Sequence, residues 1–355
     1  MSPSVPDISV AVVSYNTRDL LRACLLSLLA RQADGEASLE VIVADNGSSD
    51  GSRDMVRAEF PSVQVIETGD NLGFGRANNL ALLNATGRAY CLLNSDAEVL
   101  PGALSLSLSA LAAGPEIGLV GGQLLWPDGR LQTSYGNDPT LAGVFREQTF
   151  LGAMARKRSP PPAQAPTPPP FRERGKTLGK RPAFSLSSSS PLSHEVGEGS
   201  ALAPGVGATF DVDQICGAFM LIRPEAWREM GGFDPHYFMY NEDVDLNFRL
   251  RRAGWRVVFL PDARITHHLG ASSSADWRKR ARMVSAYNES RFYFFSRFYG
   301  PSAGAKLKAC CLLGAAIRLT GWSLLSLVKP SARDKVKLFQ EVWRRTQAMG
   351  KMAVP

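Results

Sequence analysis

Ala89-Tyr90-Cys91-Leu92-Leu93-Asn94-Ser95-Asp96 passes from an unbroken apolar run to a carboxylate. The run is short, lacks helical spacing and is closed by turn formers, so it reads as a buried strand. Its end delivers Asp96 to the carboxyl edge of a sheet, where open α/β sheets bind their ligands. The same kind of apolar run recurs upstream at Ile8 to Val13, Leu39 to Ala44 and Val63 to Glu67. Between the runs lie helical patterns. Thr17 is placed to cap a helix through Arg31, with Leu20, Leu21, Cys24, Leu25, Leu28 and Leu29 on its apolar face. Further helices are expected over Ser52 to Glu59 and Phe74 to Asn84. This alternation predicts an α/β fold with a doubly wound, mainly parallel, Rossmann-like sheet, because parallel strands need crossovers and the crossover helices cover both faces.

Downstream, a helix near Ala103 to Ala113 leads to a strand at Gly118 to Gln123 and a tight turn at Trp126-Pro127-Asp128-Gly129. From 154 to 204 the sequence turns to Pro, Ser and basic residues, which cannot bury enough apolar surface to offset the entropy of ordering. Regular patterns return as a run from Asp213 to Ile222, a Pro224-started helix to Met230, a helix through Arg252, a strand from Trp255 to Leu260 and a strand-like Ala263 to Thr266. The expected organisation is therefore one domain in two halves, 1–153 and 205–300, interrupted by a disordered insertion at 154–204. A basic helical tail, 301–355, follows.

With 355 residues, 45% hydrophobic and 21% charged, the composition is that of a globular protein with a large core. The net charge of +7 is modest, and its excess lies in the insertion and the last 80 residues. Such a distribution suits phosphate groups or an anionic membrane face and does not argue for nucleic acid. The five cysteines, Cys24, Cys91, Cys216, Cys310 and Cys311, fit no metal-ligand spacing, which points to a reducing, cytoplasmic setting. No secretory signal pattern is read at the N-terminus.

Several residue sets carry possible chemistry. Asp96 is either a turn residue or the carboxylate that holds a divalent cation, Mg²⁺ or Mn²⁺, against a diphosphate, a task for which one or two protein carboxylates suffice. Asn94 would add a neutral ligand or orient Asp96, with Ser95 between them. Glu242, Asp243 and Asp245 open a helix, where the macrodipole favours acids at roughly 0.3–1 kcal/mol each. They also follow the aromatic segment Phe233-Asp234-Pro235-His236-Tyr237-Phe238-Met239-Tyr240, which suits a desolvated general base. His267 and His268 follow a strand-like run, so one faces a cation while the other packs, or both are structural. The loop Asp45-Asn46-Gly47-Ser48-Ser49-Asp50-Gly51 is either a plain turn or a contact for a nucleobase edge, and Tyr15 is placed to stack on that base.

Taken in order, Val12-Val13-Ser14-Tyr15-Asn16, the Asp45 loop, Asn71-Leu72-Gly73-Phe74-Gly75-Arg76-Ala77-Asn78-Asn79, Leu93-Asn94-Ser95-Asp96, Gly231-Gly232-Phe233-Asp234 and Phe238 to Leu246 resemble family 2 glycosyltransferases of the GT-A fold. Within that family the chain most resembles bacterial rhamnosyltransferases and related galactofuranosyltransferases, over roughly 7–150 and 210–300. The resemblance implies a nucleotide-sugar donor held by Tyr15 and Asp45, with Arg76 and Asn78 lining the same crevice. It implies Asp96 as the last acid of an Asp-x-Asp metal motif, with Asn94 in place of the commonest first acid, and His267 completing the metal shell. It further implies Asp243 as catalytic base and Glu242 as the neighbour that places the acceptor. The implied reaction is transfer with inversion, with dTDP-rhamnose as expected donor and a saccharide or lipid-linked saccharide of the cell envelope as acceptor. Two other classes stand beside this one: a catalytically silent sugar-nucleotide binder, and a nucleotidyltransferase, which would need a glycine-rich basic phosphate loop that Val12 to Asp19 does not supply.

Ala309 to Val328 is long enough to span a bilayer, but Arg318 sits near its middle and basic residues flank both ends. The pattern favours a helix lying on the cytoplasmic face of the membrane, as a peripheral contact, over a span or a buried packing helix.

Overall fold

A computed structural model describes residues 5–149, 200–201, 208–268 and 276–350. Apart from 200–201, the expected insertion at 154–204 lies outside the described residues. The first half runs β1 (Ile8–Ser14), α1 (Arg18–Ala33), β2 (Leu39–Asp45), α2 (Ser52–Glu59), β3 (Gln64–Glu67), α3 (Phe74–Ala81), β4 (Ala89–Asn94), β5 (Ala97–Val99), α4 (Ala103–Ala112), β6 (Ile117–Leu125), β7 (Tyr135–Gly136) and α5 (Leu141–Gln148). The second half runs β8 (Ser200–Ala201), β9 (Ala208–Asp211), β10 (Gln214–Ile215), β11 (Phe219–Ile222), α6 (Pro224–Met230), α7 (Glu242–Ala253) and β12 (Arg256–His267). The tail forms α8 (Trp277–Tyr299), α9 (Pro301–Ser326), a 3₁₀ turn at Pro330–Ala332 and α10 (Arg333–Ala348).

The main sheet has the order β3-β2-β1-β4-β11-β6-β12-β9-β8, with β5 on the far end of β12. Its first four strands are parallel, as the alternation predicts. Strand β11 then lies antiparallel between β4 and β6, so the second half of the sheet is mixed. Strand β4 shows why the sequence reads as it does. Cys91 and Leu93 join the core on one face with Val10, Val12, Leu25 and Leu28, while Tyr90 and Leu92 join the other with Ile42, Met220, Leu246 and Leu250. A strand covered on both faces has no solvent side to alternate with, hence the unbroken apolar run.

Four local expectations change in the folded chain. Thr17 makes no side-chain cap for α1; its hydroxyl donates to Ser95 Oγ at 2.9 Å and lies 3.0 Å from Ser14 Oγ, tying the ends of β1 and β4 together. Helix α3 stops at Ala81 because the chain tightens into i→i+3 turns at Leu83 and Ala85 before entering β4. The Asp213 to Ile222 run divides into two strands, β10 leaving the main sheet to pair with β7. Trp255 to Thr266 instead becomes one strand, β12, with a register shift between Leu260 and Arg264.

The tail helices pack on the second half through Tyr237, Phe248, Phe294, Phe295, Leu307 and Cys311. Among the described residues α9 is the one helix long and apolar enough to cross a membrane, and only 17% of its most apolar window is buried. Leu313, Ile317 and Leu324 face outward along it, followed by Leu327 and Val328. Arg318 turns the other way, donating to Gln148 O at 2.8 Å and to Gly314 O at 3.0 Å.

Candidate active site

The β5–β12 pairing places His267 opposite Ala97, one residue beyond Asp96. His267 Nε2 lies 3.3 Å from Asp96 Oδ1 and 3.3 Å from Asn94 Nδ2. Its neighbour His268 points to the other side, 2.6 Å from Glu98, as successive residues of an extended chain must. The buried His267 ring is held from behind by Gln132, whose Oε1 is 2.7 Å from Nδ1 and whose Nε2 donates to His267 O at 3.2 Å. Because the amide nitrogen is committed to a carbonyl, the amide oxygen must accept, so Nδ1 carries the proton. Nε2 then offers its lone pair towards Asn94 and Asp96. Two cis ligands of one octahedral ion with metal–ligand distances of about 2.1 Å stand about 3.0 Å apart, so the 3.3 Å pair suits a small divalent cation. Among the described residues no cluster of three or more His, Cys, Asp or Glu suits a metal, so a cation here would complete its shell from diphosphate and water.

The second group stands where α7 begins. Tyr240 and Asn241 adopt positive φ values of 69° and 62°, a conformation that side-chain-bearing residues rarely take and that persists here at the entry to Glu242 and Asp243. Asp243 accepts the Gly217 N–H at Oδ2, 3.0 Å, and the Val244 N–H at Oδ1, 2.8 Å. The next residue, Ala218, accepts the Asn94 N–H at 3.1 Å, so one dipeptide joins Asp243 to the end of β4. Burial pushes the proton affinity of Asp243 up, against the two N–H groups that favour its charge. Glu242 is raised by burial and by the charge of Asp243, and its buried Oε2 has no hydrogen-bond partner. The Cys216 thiol is pushed up to about 12 by burial first and then by Asp243, Glu242 and Asp96. One side chain thus feels both acidic groups.

Helix α3 clamps the loop that leads into Glu242. Phe74 N–H donates to Phe238 O at 3.1 Å, Arg76 Nε donates to Pro235 O at 2.7 Å, and Asn79 exchanges two hydrogen bonds with the Phe233 backbone, at 2.8 and 2.9 Å. Gly73, at φ +84°, leaves no room for a Cβ against Phe238 O. Asn78 is fully buried, with Nδ2 on Phe74 O, while the exposed Arg76 bridges to the loop. From the opposite side, Asp234 accepts Tyr293 Oη at 3.0 Å and pairs with Arg297, and the buried Asp245 pairs with Arg249 at 2.6 Å.

At the other end of the parallel strands, Asp45 is almost wholly buried. Its Oδ2 accepts Ser48 N–H at 3.1 Å, and its buried Oδ1 has no partner, which leaves an acceptor for an N–H brought by a ligand. Tyr15 is half exposed and lines a recess of about 500 Å³ with Asn16, Arg18 and Asp50. Ser95 is buried and accepts the Thr17 hydroxyl. Gln132, Gly217 and Asn79 are the residues that reading the chain missed. Asn79 belonged to a quoted motif, whereas Gln132 and Gly217 carry no local signal, since their roles come from partners far away in sequence.

A parallel sheet with acids at its carboxyl edge, continued by a mixed half that supplies a second pair of carboxylates, is the arrangement of GT-A glycosyltransferases, and that is the class of this protein. The chain belongs to the family described as glycosyltransferase like family 2, whose profile matches residues 6–286. It is 28% identical over 342 residues to an N-acetylglucosaminyl-diphospho-decaprenol L-rhamnosyltransferase of Mycobacterium tuberculosis, covering 93% of this chain and 97% of that one. It is 28% identical over 273 residues to the O-antigen biosynthesis protein RfbC of Myxococcus xanthus, covering 76% of this chain and 18% of that one. The solved mannosyltransferase PcManGT from Pyrobaculum calidifontis, in complex with GDP-Man and Mn²⁺, matches with a TM-score of 0.49 and 17% identity, over 98% of this chain and 87% of that one.

Proposed function

We propose that this glycosyltransferase moves L-rhamnose, with inversion, from dTDP-rhamnose to a hydroxyl of a lipid-linked saccharide at the cytoplasmic face of the membrane, in the building of a cell-envelope polysaccharide. The rhamnose and the lipid-linked acceptor are carried over from the mycobacterial relative, whose match runs nearly end to end. The observation that carries the reaction is the tie between the two acidic groups: Gly217 donates to Asp243 while Ala218 accepts from Asn94, so base and leaving-group site are held by adjacent backbone units.

In this reading Asp45 and Tyr15 hold the base and ribose of the donor, with Arg76 and Asn78 supporting the crevice from α3. Asp96 and His267 hold the divalent cation, Mg²⁺ or Mn²⁺, with Asn94 and Ser95 beside them. When bound, that cation neutralises charge on the departing nucleoside diphosphate. Asp243 accepts the proton of the acceptor hydroxyl, whose oxygen bonds to the anomeric carbon as the bond to the diphosphate oxygen breaks. Its raised proton affinity suits that task, since a base is most useful with a pKa near the working pH. Glu242 holds the acceptor in place and its charge keeps Asp243 basic. The outward face of α9 and the basic groups around it place the site against an anionic bilayer.

The test is transfer by the purified full chain from a panel of nucleotide sugars to a polyprenyl-diphospho-saccharide, with and without Mn²⁺. Transfer of rhamnose from dTDP-rhamnose with an inverted anomeric centre is the expected result. Transfer only from a UDP-hexose would overturn the donor, and nucleotide-sugar binding without transfer to any acceptor would overturn the catalytic reading.

A further inference from the structure

A pocket of about 400 Å³ lies between α5, α8, α9 and α10, outside the groups assigned above. Its walls are mainly apolar, formed by Tyr240, Met283, Val284, Tyr287, Ala315 and Phe339. It is not remote from the chemistry. Tyr240 stands two residues before Glu242, and its ring meets Tyr287 edge-on at 5.8 Å. The Tyr287 hydroxyl is raised by burial, and the charges of Glu147 and Asp243 add to that rise against Arg291. The pair of tyrosines is therefore a partition with the catalytic carboxylates on one side and the pocket on the other.

The mouth of the pocket has its own chemistry. Met283 and Val284 are 39% and 38% exposed, an apolar lip on α8. One helical turn earlier on the same face stand Lys279 and Arg280, both exposed, and among the described residues neither has a carboxylate within ion-pair distance. Cations at the lip and hydrocarbon walls within make a site for an anionic amphiphile, not for a peptide or a free sugar. The outward apolar face of α9, at Leu313, Ile317 and Leu324, continues the same kind of surface on the neighbouring helix.

We propose that this pocket is the lipid subsite of the acceptor: it takes the first isoprenoid units of a polyprenyl diphosphate, with Lys279 and Arg280 over the diphosphate and the saccharide passing the Tyr240–Tyr287 partition to reach Asp243. The inference rests on the reading of the acceptor as a lipid-linked saccharide. It adds the place where the lipid is gripped and the residues that grip it. It also explains why the catalytic domain and the tail helices share one wall: acceptor specificity resides in the tail.

The probe is farnesyl diphosphate, titrated calorimetrically into the full chain with TDP at saturation to fill the donor site, beside inorganic pyrophosphate under the same conditions. Burial of even a few methylene groups predicts at least about tenfold tighter binding of farnesyl diphosphate than of pyrophosphate. Val284→Trp, which fills the lip at a half-exposed position, is expected to abolish that difference, and Val284→Asp is the second variant that must do the same. Lys279→Glu with Arg280→Glu is expected to weaken both ligands by about tenfold or more. TDP binding and the melting temperature of each variant report that the fold is intact. Equal affinity for the two ligands, loss of farnesyl diphosphate binding in the presence of TDP, or unchanged binding in a folded Val284→Trp protein would each overturn the subsite. If farnesyl diphosphate binds as expected and no lipid-linked saccharide is glycosylated, the subsite stands and the proposed reaction falls.

Discussion

Gln132 Oε1 sits 2.7 Å from His267 Nδ1 while the Gln132 amide nitrogen donates to the carbonyl of the same histidine. The two contacts together leave a single tautomer, with the Nε2 lone pair facing Asp96. Loss of such a partner behind a metal-ligating histidine typically costs 10- to 100-fold in metal affinity. Gln132→Leu is therefore expected to weaken Mn²⁺ binding by about that factor, and Gln132→Glu, which still accepts from Nδ1, to retain most of it. Titration of Mn²⁺ by electron paramagnetic resonance in the presence of TDP reads the effect without any turnover. Equal affinity in wild type and Gln132→Leu would remove His267 from the metal role.

Asp243→Asn keeps the shape of the side chain but removes its ability to take a proton. Transfer is expected to fall by about 10²- to 10⁴-fold, the usual worth of a general base. Donor binding, followed by fluorescence titration with the nucleotide sugar, is expected to stay within about twofold of wild type. A full-rate Asp243→Asn enzyme would assign the base elsewhere.

Glu242 has a raised proton affinity because burial and the Asp243 charge disfavour its ionised form. A carboxyl whose folded value exceeds its unfolded one adds stability below the unfolded value, near 4.3, and loses it as the pH climbs towards the folded value. Glu242→Gln removes that penalty. Its melting temperature is expected to match wild type near pH 4 and to exceed it increasingly between pH 5 and pH 8. Thermal melts at unit pH intervals check the trend, and parallel melting curves would refute it. The same pair predicts that the acid limb of the pH–rate profile lies above the ordinary aspartate range.

Gly73 has φ +84° and ψ 176°, a region open essentially to glycine alone, and any Cβ there meets Phe238 O. Gly73→Ala is expected to cost about 1–3 kcal/mol of stability, measured by urea unfolding. Its effect on catalysis should fall mainly on the acceptor KM, because the loop it displaces runs into Glu242.

Leu324, Leu327 and Val328 are among the most exposed large apolar residues, at 64%, 82% and 75%. Leu324→Asp with Leu327→Asp is expected to reduce co-sedimentation with anionic vesicles severalfold and to leave the melting temperature unchanged, since neither side chain is in the core. Vesicle binding that the double variant does not alter would move the membrane contact to another face.

Much of the first half was legible along the chain. Ser52–Glu59 and Pro224–Met230 begin and end where the turn formers and the proline place them, because those signals act within a few residues. The parallel order of the first four strands followed from the alternation of strand and helix. The antiparallel insertion of β11 did not, because the segment before it lies outside any βαβ unit and its pairing is chosen by what β4 and β6 leave open. Thr17 illustrates the same limit on a small scale: local chemistry offers a helix cap, and tertiary contact with Ser95 takes the hydroxyl instead.

The sequence by itself determined which residues have reactive or ligating side chains, which strands are buried on both faces, and where the acids leave them, since burial pattern and turn chemistry are local properties. Only the tertiary structure decided that His267, 173 positions from Asn94, meets it and Asp96, that Gln132 sets the histidine tautomer, and that Gly217 and Ala218 join Asp243 to the end of β4. Such relations depend on which strand edges and backbone donors find one another when the sheet closes. No pattern of neighbours along the chain records that choice.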